Sequence, residues 1–236
     1  MILMLIGGSS DMGMALIPKV IDKYEKILVH YRKESPALTK LQEKWGEKLV
    51  LQQADLSHQD EIAAMLDRIV CSGLIPDHIV HFAAPICENG HFHKISMDTF
   101  SDNMQIGLFS FVQIAQKFLP SMAKKRNGKL VVMLSDVVKD TPPPYCSHYV
   151  TAKYAMLGLM RAMAAEYAGK SIAINAVSPG WTQTKYIQNQ PDLLIEKYLQ
   201  QSPRKQLLMP DQVADGILML LSDSANQING QNIVIS

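Results

Sequence analysis

The sequence predicts an α/β fold: a doubly wound parallel sheet of about seven strands with helices on both faces. Three observations carry this. Short runs that are apolar throughout alternate along the chain with longer segments of helical periodicity, the pattern of strands buried on both faces and joined by crossover helices. The first such run, ILMLI at 2–6, breaks into Gly7-Gly8-Ser9-Ser10-Asp11-Met12-Gly13 and then a helical segment, MALIPKVIDKY. Later, Tyr149 and Lys153 stand four residues apart in another helical segment, so both project from one helix face.

Taken in order, the opening run is a buried strand. Gly7 permits the tight turn after it, Gly13 lets the following helix pack close, and the helix N-terminus offers N–H groups and a positive dipole to a pyrophosphate. Pro18 lies inside this helical pattern and predicts a kink or a later start. Ile27–Tyr31 is a second strand, followed by Arg32 and Lys33 in place of an acidic residue. A carboxylate there would bind a ribose 2′-hydroxyl, whereas a guanidinium suits a 2′-phosphate, so the chain is expected to prefer NADPH to NADH. Leu49–Gln52 is a third strand, ending near Asp55, and 58–70 is a helix with Ile62, Met65, Leu66 and Ile69 on one face. HIVHFAA at 78–84 is the fourth strand, and its small residues Ala83 and Ala84 allow close approach of a cofactor. One long helical stretch covers 97–125, Lys129–Leu134 is the fifth strand, SIAINAVSPGWTQT gives the sixth strand and a loop, and NIVIS at the end is the seventh.

No linker, repeat or low-complexity tract divides the 236 residues, so a single domain over 1–236 is expected. With 47% hydrophobic and 19% charged residues the chain can fill a core of that size. A net charge of +1, from 23 Lys+Arg against 22 Asp+Glu, gives no electrostatic case for nucleic acid or an anionic membrane. The three cysteines, Cys71, Cys87 and Cys146, lack metal-ligand spacing and are an odd number. They read as reduced thiols of a cytoplasmic protein, and no metal site is expected. The other histidines, His91 and His93 among them, read as surface or loop residues. The apolar start has no basic flank and is too short for a signal peptide or a membrane span.

Tyr149 and Lys153 carry the chemistry. A phenol titrates near ~10, and an ammonium beside it favours the phenolate and brings it toward the working range. With a hydroxyl or carboxyl from Ser135 or Asp136 at the preceding strand end, the pair can move a proton to or from a substrate oxygen.

In this order the glycine turn, the strand-end Arg32 and the Tyr149/Lys153 pair resemble the short-chain dehydrogenase/reductase family, and the 3-oxoacyl-(acyl-carrier-protein) reductases within it, over nearly the whole chain. The resemblance implies a Rossmann-type fold and an NADP(H)-dependent reduction of a keto group to a hydroxyl, on a small-molecule or thioester substrate such as a 3-oxoacyl or polyketide-like one. It also implies a homo-oligomer, dimer or tetramer. Tyr149 would be the general acid, Lys153 its partner and a ligand of the nicotinamide ribose, and Ser135 the holder of the substrate oxygen. Gly7, Ser9, Ser10, Met12, Gly13, Arg32, Asp55, Ala83, Ala84, Pro179, Gly180 and Thr184 would join Tyr149 and Lys153 around the cofactor. Residues 182–203 would form a lid over the substrate.

The chain departs from the family pattern at four places. Asp11 replaces the middle glycine of the turn. His81 and Phe82 replace two structural asparagines. Gly107 falls at the family's catalytic asparagine, with Asn103 one turn earlier on the same face. The oxyanion partner is Ser135 when counted from Gly128 and Asp136 when counted back from Tyr149; Ser135 is taken. These departures keep a second reading open, a catalytically weakened NADP(H)-binding regulatory or partner subunit.

Overall fold

A computed structural model of the chain describes residues 1–236 apart from Asn189, Pro191 and Pro203, together with the side chains of all the others except Tyr186 and Gln188. Those positions fall within the expected 182–203 lid and lie outside the described residues. Seven strands, β1 (Ile2–Ile6), β2 (Lys26–Tyr31), β3 (Leu49–Gln53), β4 (His78–His81), β5 (Gly128–Met133), β6 (Ile172–Pro179) and β7 (Asn232–Ile235), form one sheet in the order β3-β2-β1-β4-β5-β6-β7. Every pairing is parallel. This is the doubly wound, Rossmann-like arrangement expected.

Alternation within the strands explains why they read as unbroken apolar runs. Leu3 and Leu5 of β1 pack with α1 (Asp11–Val20), α2 (Pro36–Trp45) and α9 (Pro210–Leu221), while Met4 and Ile6 pack on the opposite face. There they meet α3 (Gln59–Cys71), α5 (Ser110–Lys125) and α6 (Ser147–Tyr167). In the central strands β1, β2, β4, β5 and β6 both faces are covered and the period of two leaves no polar trace, whereas β3, at the edge, ends on the exposed Gln53. The order reverses between β1 and β4, whose carboxyl ends open the crevice where such sheets bind ligands.

Several boundaries differ from expectation for physical reasons. The fourth strand ends at His81 rather than Ala84: Phe82 N donates to Ile6 O at 2.8 Å, after which β1 turns away at Gly7. The stretch 97–125 is not one regular helix. α4 (Met97–Asn103) passes into a π-helical segment, Met104–Phe109, before α5 resumes. Pro18 neither delays nor ends α1, which starts at Asp11 under a Ser10 cap and runs to Val20; its ring lies on the exposed side. α2 was not anticipated, although Ser35 caps it by accepting from Leu38 N at 3.2 Å and Pro36 opens it, a serine–proline start legible in principle.

The histidines depart most from expectation. His30, His78, His81 and His148 are buried, at 1–3% exposure. Burial, and for His78 also the Lys129 charge, lowers the His78 pKa to about 4; burial and the Lys153 charge lower that of His81 to about 3. Tyr24 Oη sits 2.6 Å from His78 Nδ1, an acceptor only while the ring is neutral. The folded state thus binds fewer protons than the unfolded chain below the unfolded value of 6.5, so stability is full above that pH and falls as pH drops toward 4. Each of the two histidines should cost on the order of 2 kcal/mol by pH 5. Urea unfolding at pH 7.5 and pH 5 checks this, and equal midpoints would contradict it.

Candidate active site

The glycine turn is built on a residue the sequence reading passed over. His30 of β2 lies beneath it: Gly7 N donates to His30 Nδ1 at 2.9 Å, and Nε2 donates to Ala54 O at 3.0 Å. That fixes the tautomer, and burial holds the ring neutral by lowering its pKa. Gly8 N is held by His30 O at 3.0 Å. Gly7 has φ +70°, and a Cβ on it would press on Ala83 N at 3.1 Å, so the turn and the end of β4 are in contact. A Cβ on Gly13 would run into the Gly8 carbonyl, the close helix–turn packing expected. Ser10 Oγ accepts from Gly13 N at 3.2 Å, and the remaining N–H groups of the first turn of α1 have no intrahelical acceptor. Ser9 and Met12 are half-buried in the same turn.

Asp11 has a structural partner: its Oδ2 accepts from Lys185 N at 2.8 Å, where α7 (Lys185–Gln188) begins. The carboxylate that replaces the family's glycine therefore ties the turn to the 182–203 segment. At the end of β2, Arg32 is exposed. Asp55 accepts from Ser57 N and Oγ at 2.9 and 2.7 Å. Burial would raise its pKa, but these hydrogen bonds and the Arg32 charge outweigh that and hold the carboxyl below its usual range.

Tyr149 and Lys153 meet as the spacing requires. Lys153 is 7% exposed, its Nζ lies 5.5 Å from the Tyr149 ring centroid, and it donates to Met133 O at the end of β5 at 2.7 Å. Burial lowers its pKa to about 8. Both side chains line a cavity of about 10 Å³ with His81, Ala84, Asn103 and Gly107, room for one water.

Asn103 is 2% exposed and donates from Nδ2 to Thr99 O at 2.8 Å. Its Oδ1 is buried without a hydrogen-bond partner among the described residues, and a water in the cavity would satisfy it. A Cβ on Gly107 would meet nothing within 4 Å, so the glycine leaves open space. His81 Nε2 lies 3.3 Å from Ser110 Oγ, whose own proton goes to Ile106 O at 2.7 Å. The imidazole is therefore the donor, and its other nitrogen carries no proton.

Ser135 Oγ donates to Asp136 Oδ1 at 3.1 Å and accepts from Val137 N at 3.4 Å. Burial raises the Asp136 pKa. Near Asp136, Pro179 ends β6 and Gly180 turns away from it, both residues buried. A Cβ on Gly180 would collide with Tyr198 Oη and stand 3.5 Å from Asp136 Oδ2. Trp181 N donates to Tyr198 Oη at 3.0 Å, and the two rings stack at 4.9 Å and 9°. Tyr198 belongs to α8 (Asp192–Gln201), so the 182–203 segment leans on this corner. Thr184 is half-buried just ahead of α7, while Thr182 is buried and donates to Gly180 O at 2.9 Å. Among the described residues, no group of three or more His, Cys, Asp or Glu is placed to hold a metal ion. None of the described helices is long and apolar enough to cross a membrane.

Comparison with known proteins follows the same lines. A family model described as enoyl-(acyl carrier protein) reductase matches residues 15–236. The chain belongs to the short-chain dehydrogenase/reductase family. It is thus an oxidoreductase of that family, and since the match begins past the glycine turn, the turn is a separate observation. The chain is 26% identical over 234 residues to a 3-oxoacyl-(acyl-carrier-protein) reductase, FabG, of Staphylococcus aureus, covering 98% of this chain and 94% of that one. To FabG of Thermotoga maritima it is 28% identical over 181 residues, 77% of this chain and 73% of that one. In structure it resembles a 3-oxoacyl-(acyl-carrier protein) reductase from Brucella melitensis, with TM-score 0.89 at 21% identity, over 99% of this chain and 89% of that one. A short-chain dehydrogenase/reductase from Serratia marcescens gives TM-score 0.89 at 18% identity, over 99% and 95%.

Proposed function

We propose that the chain is an NADPH-dependent carbonyl reductase that converts a keto group to a hydroxyl, on a 3-oxoacyl or similar thioester substrate. It acts as one dinucleotide-binding domain with a lid over 182–203, in a cytoplasmic homo-oligomer, a dimer or tetramer. The observation that carries this reading is the buried Lys153 ammonium beside Tyr149, in the crevice where the strand order reverses.

The residues present suit a dinucleotide. The glycine turn leaves no Cβ between β1 and Ala83, and the first turn of α1 can receive a pyrophosphate through Ser9, Ser10 and Met12. Asp55 would take the adenine, Arg32 the 2′-phosphate, Ala83 and Ala84 the ribose side, and Pro179, Gly180 and Thr184 the nicotinamide. When bound, the cofactor supplies the hydride. Tyr149 gives its phenolic proton to the substrate carbonyl oxygen as that oxygen becomes basic. The Lys153 ammonium stabilises the phenolate left behind and keeps its place through Met133 O. Ser135 holds the substrate oxygen, and a water on Asn103 Oδ1 returns the proton from the protein side. The family relationship and the FabG likeness support keto reduction, and the strand-end Arg32 supports NADPH.

The direct test is oxidation of NADPH and of NADH by the purified protein with a panel of ketones and 3-oxoacyl thioesters. Turnover with NADPH is expected; cofactor binding without turnover on any member would overturn the reading. Arg32→Asp should shift the preference toward NADH, because it removes the phosphate's partner and adds a repelling charge. Unchanged Michaelis constants for both cofactors would refute the role given to Arg32.

A further inference from the structure

Just beyond the cavity wall, two thiols and a histidine come together from distant parts of the chain. Ala83, Ala84 and Pro85 line the cavity, and Cys87 follows two residues later, half-buried. Facing it is the start of α6, where Cys146 is the N-cap residue, 4% exposed. His148, 1% exposed, places Nε2 at 3.9 Å from Cys87 Sγ. Its Nδ1 is buried and without a hydrogen-bond partner among the described residues. The two segments are stitched by Gly90 N donating to Tyr145 O at 2.8 Å. Cys146 Sγ lies 3.2 Å from Pro143 O.

The surroundings divide the two sulfurs into different roles. The Cys87 thiol hydrogen-bonds Cys146 and lowers its pKa, against the opposing effect of burial. A position at the N-terminus of a helix also favours a thiolate. Burial lowers the His148 pKa, the Glu88 charge opposing, so at neutral pH the ring is neutral; with Nδ1 unpartnered its one proton sits on Nε2 and is directed at the Cys87 sulfur. Cys87 is reachable from solvent and faces His148 Nε2–H, whereas Cys146 is sheltered and receives the Cys87 hydrogen bond. Two inert cysteines in a core would need neither the histidine nor the mutual contact.

We propose that Cys87 and Cys146 form a peroxide-sensitive dithiol that closes to a disulfide and pins the 83–90 segment to the start of α6, beside Tyr149. The Cys87 thiol releases its proton to water, and the thiolate, stabilised by His148 Nε2–H, attacks hydrogen peroxide, breaking its O–O bond. The departing hydroxide recovers that proton as water and leaves Cys87 as a sulfenic acid. The Cys146 sulfur then attacks the Cys87 sulfur, the S–S bond forms, and the expelled hydroxide leaves as a second water with the Cys146 proton. Two thiols are oxidised and one peroxide is reduced to two waters. Because the pinned segment continues the cavity wall, closure restrains the site and lowers turnover.

The test uses the intact protein treated with hydrogen peroxide. Titratable thiols should fall from the three present in the sequence to one, Cys71, and a non-reducing digest should yield a cross-linked peptide joining Cys87 to Cys146. Dithiothreitol should restore all three. Cys146→Ser should stop at the Cys87 sulfenic acid, trapped by dimedone, and His148→Asn should slow oxidation of Cys87 several-fold. Cys71→Ser should cross-link like the parent. Thiols that survive peroxide, oxidation of Cys71 ahead of Cys87, or a bond between two chains would each overturn the proposal, and peptide mapping of the parent decides this even if a variant fails to fold. The turnover arm alone rests on the reductase reading: a closed disulfide with unchanged reductase turnover overturns the restraint, while the thiol arm is read without any substrate.

Discussion

Tyr149→Phe should lower reductase turnover by ~10²–10⁴, the usual worth of a positioned general acid, with NADPH binding changed by no more than a few-fold. The substitution removes one oxygen and leaves the half-buried ring over Lys153 in place, so packing is nearly constant and the loss falls on the proton-transfer step. Full activity in this variant would end the tyrosine mechanism for this chain. Ser135→Ala and Asp136→Ala belong in the same assay. Because Ser135 Oγ donates to Asp136 Oδ1 at 3.1 Å, each variant disturbs the other residue, and only the group that touches substrate should depress kcat without a change in melting temperature. Burial raises the Asp136 pKa, and a neutral carboxyl could donate where a carboxylate would repel a developing oxyanion. A silent Ser135→Ala with an impaired Asp136→Ala would transfer the assignment to Asp136.

Lys153→Met should cost turnover on a similar scale, ~10²–10⁴, for a different reason. It removes the charge that favours the tyrosinate and the donor that anchors Met133 O at 2.7 Å. The pH dependence separates these effects. Burial lowers the Lys153 pKa from 10.5 to about 8, so the ammonium is present below pH 8 and is lost as pH rises through it. Reduction should therefore decline above pH 8, and that limb should be absent from whatever activity Lys153→Met retains. Stability runs the other way. Between 8 and 10.5 the folded state binds fewer protons than the unfolded chain, so stability rises with pH across this window, a sign that the buried ammonium is unfavourable to folding. Lys153→Met, of comparable length and apolar, should then match or exceed the parent in melting temperature at pH 7 while losing activity. A variant with lower stability and a retained alkaline limb would contradict both parts.

The sequence by itself determined the fold class, because strands buried on both faces must be apolar throughout and crossover helices must carry their own period. The strand–glycine turn–helix start and the Tyr149–Lys153 spacing are local, and each is readable within a dozen residues. What local pattern could not supply was the burial of particular polar groups. A histidine in a strand carries no mark of whether it faces water, so His30 under the glycine turn and His81 against Ser110 were seen only once β2 and β4 took their places between neighbours. Asp11 showed in the sequence only as a replacement of the turn's middle glycine; its partner, the backbone N–H of Lys185, is remote in sequence. Asn103 looked one turn out of register with the family's asparagine. The π-helical segment that follows it and the open space at Gly107 give its unsatisfied oxygen a cavity shared with Lys153. Likewise Cys87, Cys146 and His148 are ordinary residues along the chain, and packing of the 83–90 segment on the start of α6 makes them neighbours. Periodicity reports which face of an element is apolar; which distant polar atom completes a buried hydrogen bond is decided by how the elements meet.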